Sequence, residues 1–146
     1  METIEKVKTI KTIKATKGEF VNLINGLFQV QELKGKKFGL AVSRNITILK
    51  EDLKHLEDLG KPSEEFMQLA TKVNQISQED PENSKKVIDD LEKENEVLVK
   101  DRKEQLAKVT ELMKDKMKIK LNTISEDILP EEITAQQINN IERIIT

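Results

Sequence analysis

Apolar residues recur along this chain with two spacings, and the helical one dominates. Phe20, Leu23, Ile24, Leu27 and Phe28 fall at i, i+3, i+4, i+7 and i+8, which gathers one stripe on an α-helix and makes the strongest core-forming segment. Thr16 and Glu19 precede it with capping-box spacing, each side chain satisfying a backbone N–H that the first helical turn leaves without a partner. Gly35, inside Lys34-Gly35-Lys36-Lys37, is placed to end that helix, and the lysines suit the negative end of its dipole. A second helix is expected from the heptad steps Val42, Ile46, Leu49, Leu53 and Leu56, until Leu59-Gly60-Lys61-Pro62 stops it. Ser63 caps a third segment that carries Phe66, Leu69, Val73 and Ile76.

Asp80-Pro81 reads as an N-cap followed by a first-turn proline, and no helix breaker follows until residue 118. A helix over 81–118 would be about 57 Å long, against about 40 Å for the diameter of a compact chain of this size. It is therefore expected to protrude or to belong to an elongated assembly. Glu82/Lys86, Asp89/Lys93, Glu96/Lys100 and Glu104/Lys108 stand in acid-before-base order and form its solvated face. Ile88, Leu91, Asn95 and Leu98 trace a seam with one polar member; it resumes in shifted register at Leu106, Val109, Met113 and Met117, as after a coiled-coil stutter.

The two-residue spacing is confined to short stretches. Residues 9–16 read as an edge strand or a frayed helix start, and 118–123, with Ile119 and Leu121, as a short strand; pairing of the two would make a ribbon. Thr134 and Gln137 box a terminal helix bearing Ile138, Ile141, Ile144 and Ile145. The fold class expected is mainly α: a helical hairpin or bundle with one long coiled-coil-like helix and a short two-stranded β ribbon. One domain is expected over 1–146, comprising a strand-like arm (1–16), the long helix (81–118) and a C-terminal strand and short helix (119–146).

Composition narrows the chemistry. Of 146 residues, 36% are apolar and 36% charged, with four Phe, no Tyr, no Trp, no Cys and a single histidine, His55. That excludes a disulfide scaffold, a cysteine nucleophile and an ordinary zinc site, and His55 lies on a polar helix face with no nucleophile beside it. The carboxylates alternate with lysines off the apolar seams, unlike the facing inward acids of helical metal-dependent hydrolases. No enzymatic activity, cofactor or metal is expected. The balance of 25 basic against 27 acidic residues offers no whole-molecule attraction to nucleic acid or an anionic membrane. The longest charge-free stretch, Phe20 to Gln31, is too short and too polar to span a bilayer, and no apolar signal segment follows the first lysines. A cytoplasmic location is expected, in which the Asn45-Ile46-Thr47 sequon is incidental.

The order of a short apolar helix, the Lys-Gly-Lys-Lys break, the segment Phe38-Gly-Leu-Ala-Val-Ser-Arg-Asn-Ile-Thr-Ile-Leu-Lys-Glu-Asp, a long charged helix, Met117-Lys-Ile-Lys-Leu and Ile128-Leu-Pro-Glu-Glu-Ile-Thr-Ala-Gln-Gln-Ile resembles small helical proteins of tailed bacteriophages and prophages. The resemblance implies a phage origin and one of two roles, assembly or virion accessory, or inhibition of host defence. It transfers no functional residue.

Four groups of residues are candidates for binding. Lys34, Lys36, Lys37 and Arg44 place four cations at a helix junction, where an anionic small molecule such as a signalling nucleotide could bind; they equally suit a solvated basic loop, since no Gly-rich phosphate loop or stacking aromatic accompanies them. Asn22, Asn25 and Gln29 on the first helix and Gln136, Gln137, Asn139 and Asn140 on the last make uncharged amide rows, candidate interface because amides bond a partner without the desolvation cost of ions. Leu91, Asn95 and Leu98 are the seam through which a homo-oligomer would form. The lysines from Lys6 to Lys17 fit contact with a polyanion or, more simply, protection of an edge strand. The protein is expected to act through protein contacts, with itself and with a host or phage protein; a nucleotide ligand is the alternative.

Overall fold

Thr16 closes one element and opens the next. It ends strand β1, Ile10–Thr16, and caps helix α1, Lys17–Val30: its hydroxyl accepts from the Glu19 N–H at 3.1 Å while Glu19 Oε1 accepts from the Thr16 N–H at 3.0 Å. The structure, a computed structural model, describes residues 10–146, so the expectations placed on Lys6, Lys8 and Thr9 lie outside the described residues. Further along come α2 (Lys36–Asp52), α3 (Lys54–Gly60), α4 (Glu64–Glu79), α5 (Ser84–Glu94), α6 (Glu96–Leu112), β2 (Lys116–Asn122) and α7 (Ala135–Asn140), with 3-10 turns at Glu126–Ile128 and Glu142–Ile144. The fold is mainly α with one short β ribbon, and no described helix is long and apolar enough to cross a membrane.

The chain divides into two compact units: Met1–His55 with Leu112–Thr146, and Leu56–Glu111. The first is built on the ribbon. β1 and β2 pair antiparallel, Ile13 opposite Ile119 and Ala15 opposite Met117, so the ambiguous N-terminal stretch is an edge strand. Ile13, Ala15, Ile119 and Leu121 are buried on the face turned to the helices, as a period of two requires. Against it lie Phe20, Leu23 and Leu27 of α1 and Phe38, Val42 and Leu49 of α2, all buried. Two of the N–H groups at the start of α1 find carbonyls in the turn before β2: Lys17 donates to Asp115 at 2.8 Å and Gly18 to Met113 at 2.9 Å. The C-terminal segment closes this unit, with Ile124 donating to Ile144 O at 2.7 Å and accepting from the Thr146 N–H at 2.9 Å. Asn45 of the sequon is buried within the same core.

The second unit is thin. α4 pairs with α5, and of the buried apolar side chains only Leu56 and Leu69 belong to it. The expected single helix over 81–118 is two helices with shorter ends. It begins at Ser84 because Pro81, Glu82 and Asn83 form a turn, held where Asp80 Oδ2 accepts from Asn83 Nδ2 at 3.3 Å and Ser84 Oγ donates to Pro81 O at 3.2 Å. It is interrupted at Asn95 (φ −114, ψ 32), whose Nδ2 donates to Leu91 O at 2.9 Å and so competes with the backbone for that carbonyl. It stops at Leu112, and Met117, placed by sequence on the helical seam, stands in β2, where alternation with Ile119 and Leu121 prevails once β1 supplies a partner. The second expected helix likewise breaks at Leu53 (φ −99, ψ 3) into α2 and α3.

Candidate functional site

The structure joins the two amide rows. α7 packs on α1 where Gly26 removes the obstacle: a Cβ there would lie 2.9 Å from Asn140 Cβ and 3.1 Å from Asn140 O. That approach brings Asn140 Nδ2 within 3.3 Å of Gln29 Oε1, and Gln136 Nε2 donates to Asn140 Oδ1 at 3.2 Å, a relay of three amides across the two helices. Next to it Arg143 pairs with Glu19, the same carboxylate side chain that completes the α1 cap. Glu19, Asn22, Asn139, Asn140 and Arg143 line an open groove of about 490 Å³. Its walls offer amides, the carboxylates of Glu19 and Glu142 and a guanidinium, which suit hydrogen bonding to polar surface. Asn25, named with these residues from sequence, is exposed on α1 outside that lining.

The seam residues meet α4 of their own chain. Leu91, Asn95 and Leu98, each half-buried, line a groove of about 690 Å³ with Met67, Gln68 and Thr71. On the other side of the helix pair a second groove of about 400 Å³ lies between Phe66, Ala70 and Val73 and the residues Ile88 and Val99. Asn95 gives its Nδ2 to Leu91 O within its own helix pair. The same unit is tied at its far end by α6: Gln105 Nε2 donates to Leu59 O at 2.6 Å and Lys61 O at 2.7 Å, and Arg102 donates to Gly60 O at 2.7 Å while lying over the Phe66 ring. Carbonyls left open at the end of α3 are thus capped by side chains.

Lys34, Lys36, Lys37 and Arg44 are all exposed. The lysines flank Gly35, which takes a φ of 137° and precedes α2 as its N-cap without a side-chain bond; it does not end α1 as the sequence suggested, because that helix stops earlier, at Val30, with Gln31 as its C-cap. Arg44 stands about 10 Å further along α2 than Lys37. Sequence reasoning passed over a denser basic group. The outward positions of the ribbon carry Lys14, Lys116, Lys118 and Lys120, all exposed, with Lys14 directly opposite Lys118. The signal was present as lysines alternating with Met117, Ile119 and Leu121, but only the strand register adds Lys14 to them.

Comparison with protein-family models, with curated proteins and with solved structures finds no match.

Proposed function

We propose that this chain is a non-enzymatic interaction protein that works as a helical homo-oligomer, in the phage-type roles its segment order suggests, inhibition of host defence or assembly and virion accessory. One observation carries the reading. Among residues 56–111 only Leu56 and Leu69 are buried apolar side chains, while Met67 is 52% exposed, Val87 50%, Val97 73% and Leu106 46%. A helix pair with open grooves on both sides of its contact buries one seam and leaves the flanks for other helices. Two such pairs associating give a four-helix bundle, in which facing apolar seams complete one core. The amide groove between α1 and α7 stays free for the second partner.

Sedimentation equilibrium of the full chain tests this. A dimer at micromolar concentration that dissociates in Met67→Lys/Val97→Lys, with helical circular dichroism retained, is expected; a wild-type monomer at the highest soluble concentration sinks it. The alternative, sequestration of an anionic small molecule such as a signalling nucleotide, draws on the four exposed cations around the uncapped start of α2. Native mass spectrometry separates the two: a nucleotide adduct lost in Lys34→Ala/Lys36→Ala/Lys37→Ala/Arg44→Ala favours the alternative.

A further inference from the structure

We infer that the outward face of the β ribbon is a docking surface for duplex DNA, contacting its phosphates without regard to sequence. The register places Lys14, Lys118 and Lys120 on one face with Lys116, and every other outward position there is Ile10, Thr12, Thr16 or Asn122, so the face holds no acid. None of the four lysines forms an ion pair among the described residues. Like charges directly opposite across a ladder destabilise it, so Lys14 facing Lys118 costs the fold something that no partner within the described chain returns. Net charge had argued against polyanions for the molecule as a whole. Side-chain alternation concentrates cations locally where the average shows none.

The geometry selects the polyanion. Successive outward lysines of β2 are spaced about 6.7 Å along the strand, a regular row of point charges that suits the regular row of phosphates on a duplex. A two-stranded ribbon is also narrow enough to enter or follow the major groove, which is about 12 Å wide. Single strands are bound by stacking bases on aromatic rings, and this face has none: Phe20 and Phe38 are buried, Phe28 lies under Lys50, and Phe66 lies under Arg102. Four lysines without an arginine act as point charges that suit phosphate contact, and the one amide among these positions, Asn122, already gives its Nδ2 to Asn45 Oδ1.

The test is fluorescence anisotropy of a labelled mixed-sequence duplex titrated with the full chain at several salt concentrations. Binding should weaken with salt with a log–log slope of about −3 to −4, as four neutralised phosphates require. Lys118→Glu/Lys120→Glu should weaken it roughly tenfold or more, whereas Lys34→Ala/Lys36→Ala/Lys37→Ala should leave it unchanged. Lys118→Glu sets an acid opposite Lys14, so its melting temperature should hold or rise; Lys14→Gln/Lys120→Gln provides a second variant that keeps the ribbon's shape. Three results overturn the inference: no duplex binding at low salt, equal affinity in the ribbon variants, or tighter binding of the matching single strand or of anionic vesicles.

Discussion

Asn45 on α2 holds both backbone hydrogen-bonding groups of Asn122 at the end of β2. Its Nδ2 donates to Asn122 O at 2.9 Å and its Oδ1 accepts from the Asn122 N–H at 2.7 Å, with Asn122 Nδ2 adding a third bond at 3.2 Å. An amide side chain presents one donor and one acceptor side by side, as a neighbouring strand does, so Asn45 substitutes for the strand the ribbon lacks on that side. Asn45→Ala leaves the Asn122 N–H and C=O without these partners near the core and should lower unfolding free energy by about 2–4 kcal/mol. Urea denaturation reads the change; a loss below about 0.5 kcal/mol would show that water replaces the amide.

Gly26 and Gly39 are both helical, and alanine should act on them with opposite signs. At Gly26 the added methyl meets Asn140 and Ile141, at 2.9 to 3.2 Å, so α7 must shift and stability should fall by about 1–3 kcal/mol despite the better helix propensity. At Gly39 nothing lies within 4 Å, and the same substitution should raise stability by about 0.5–1 kcal/mol. Thermal melts of the two variants, compared directly, check the contrast.

Gln105 grips two carbonyls on either side of Gly60. Gln105→Ala should cost about 1–2 kcal/mol, and the loss should be local. Amide hydrogen exchange is expected to accelerate in α3 and at the start of α4, with Ile119 and Leu121 of the ribbon unchanged. Uniform acceleration across both units would show that they unfold together.

Glu19 serves the α1 cap through Oε1 and Arg143 through its other oxygen. Arg143→Ala removes a half-exposed pair and should cost under about 1 kcal/mol. Thr16→Ala removes the cap acceptor and should cost about 1 kcal/mol. In a double-mutant cycle the two changes should add, because Thr16→Ala removes only the acceptor of the Glu19 N–H and keeps the backbone N–H that Glu19 Oε1 accepts from; a clear coupling would show that the hydroxyl also orients the carboxylate.

Local chemistry was legible in the sequence. Both capping boxes form in full, Thr134 with Gln137 matching Thr16 with Glu19, Ser63 caps α4 through the Phe66 N–H at 3.1 Å, and the Phe20-to-Leu27 stripe is core. These depend on residues three or four apart. The ribbon pairing was legible as a possibility, since both strands show their alternation. What could not be read depends on distance along the chain: Asn45 meets Asn122 across 77 residues, and Gln29 meets Asn140 across 111. The amide rows were visible singly; that Gly26 brings them together required the packing of α7. The long helix was overextended because its breaks come from side-chain bonds at Asn95 and Asp80 and from competition with β1, none of which a helical period records.

The pairing of Thr16 with Lys116 makes everything between them one closed loop. On a ribosome, the first strand emerges with its inward face bare and waits for the last fifth of the chain before a neighbouring strand exists. Local contacts let the hairpin of α4 and α5 form early and shorten the span that remains to be closed. Phe20, Leu23 and Phe38, buried in the finished fold, have only the packing of α1 on α2 to cover them until β2 arrives. A chain cut short before Lys116 therefore leaves exposed the apolar side chains that β2 covers, a state that cellular proteases recognise and remove.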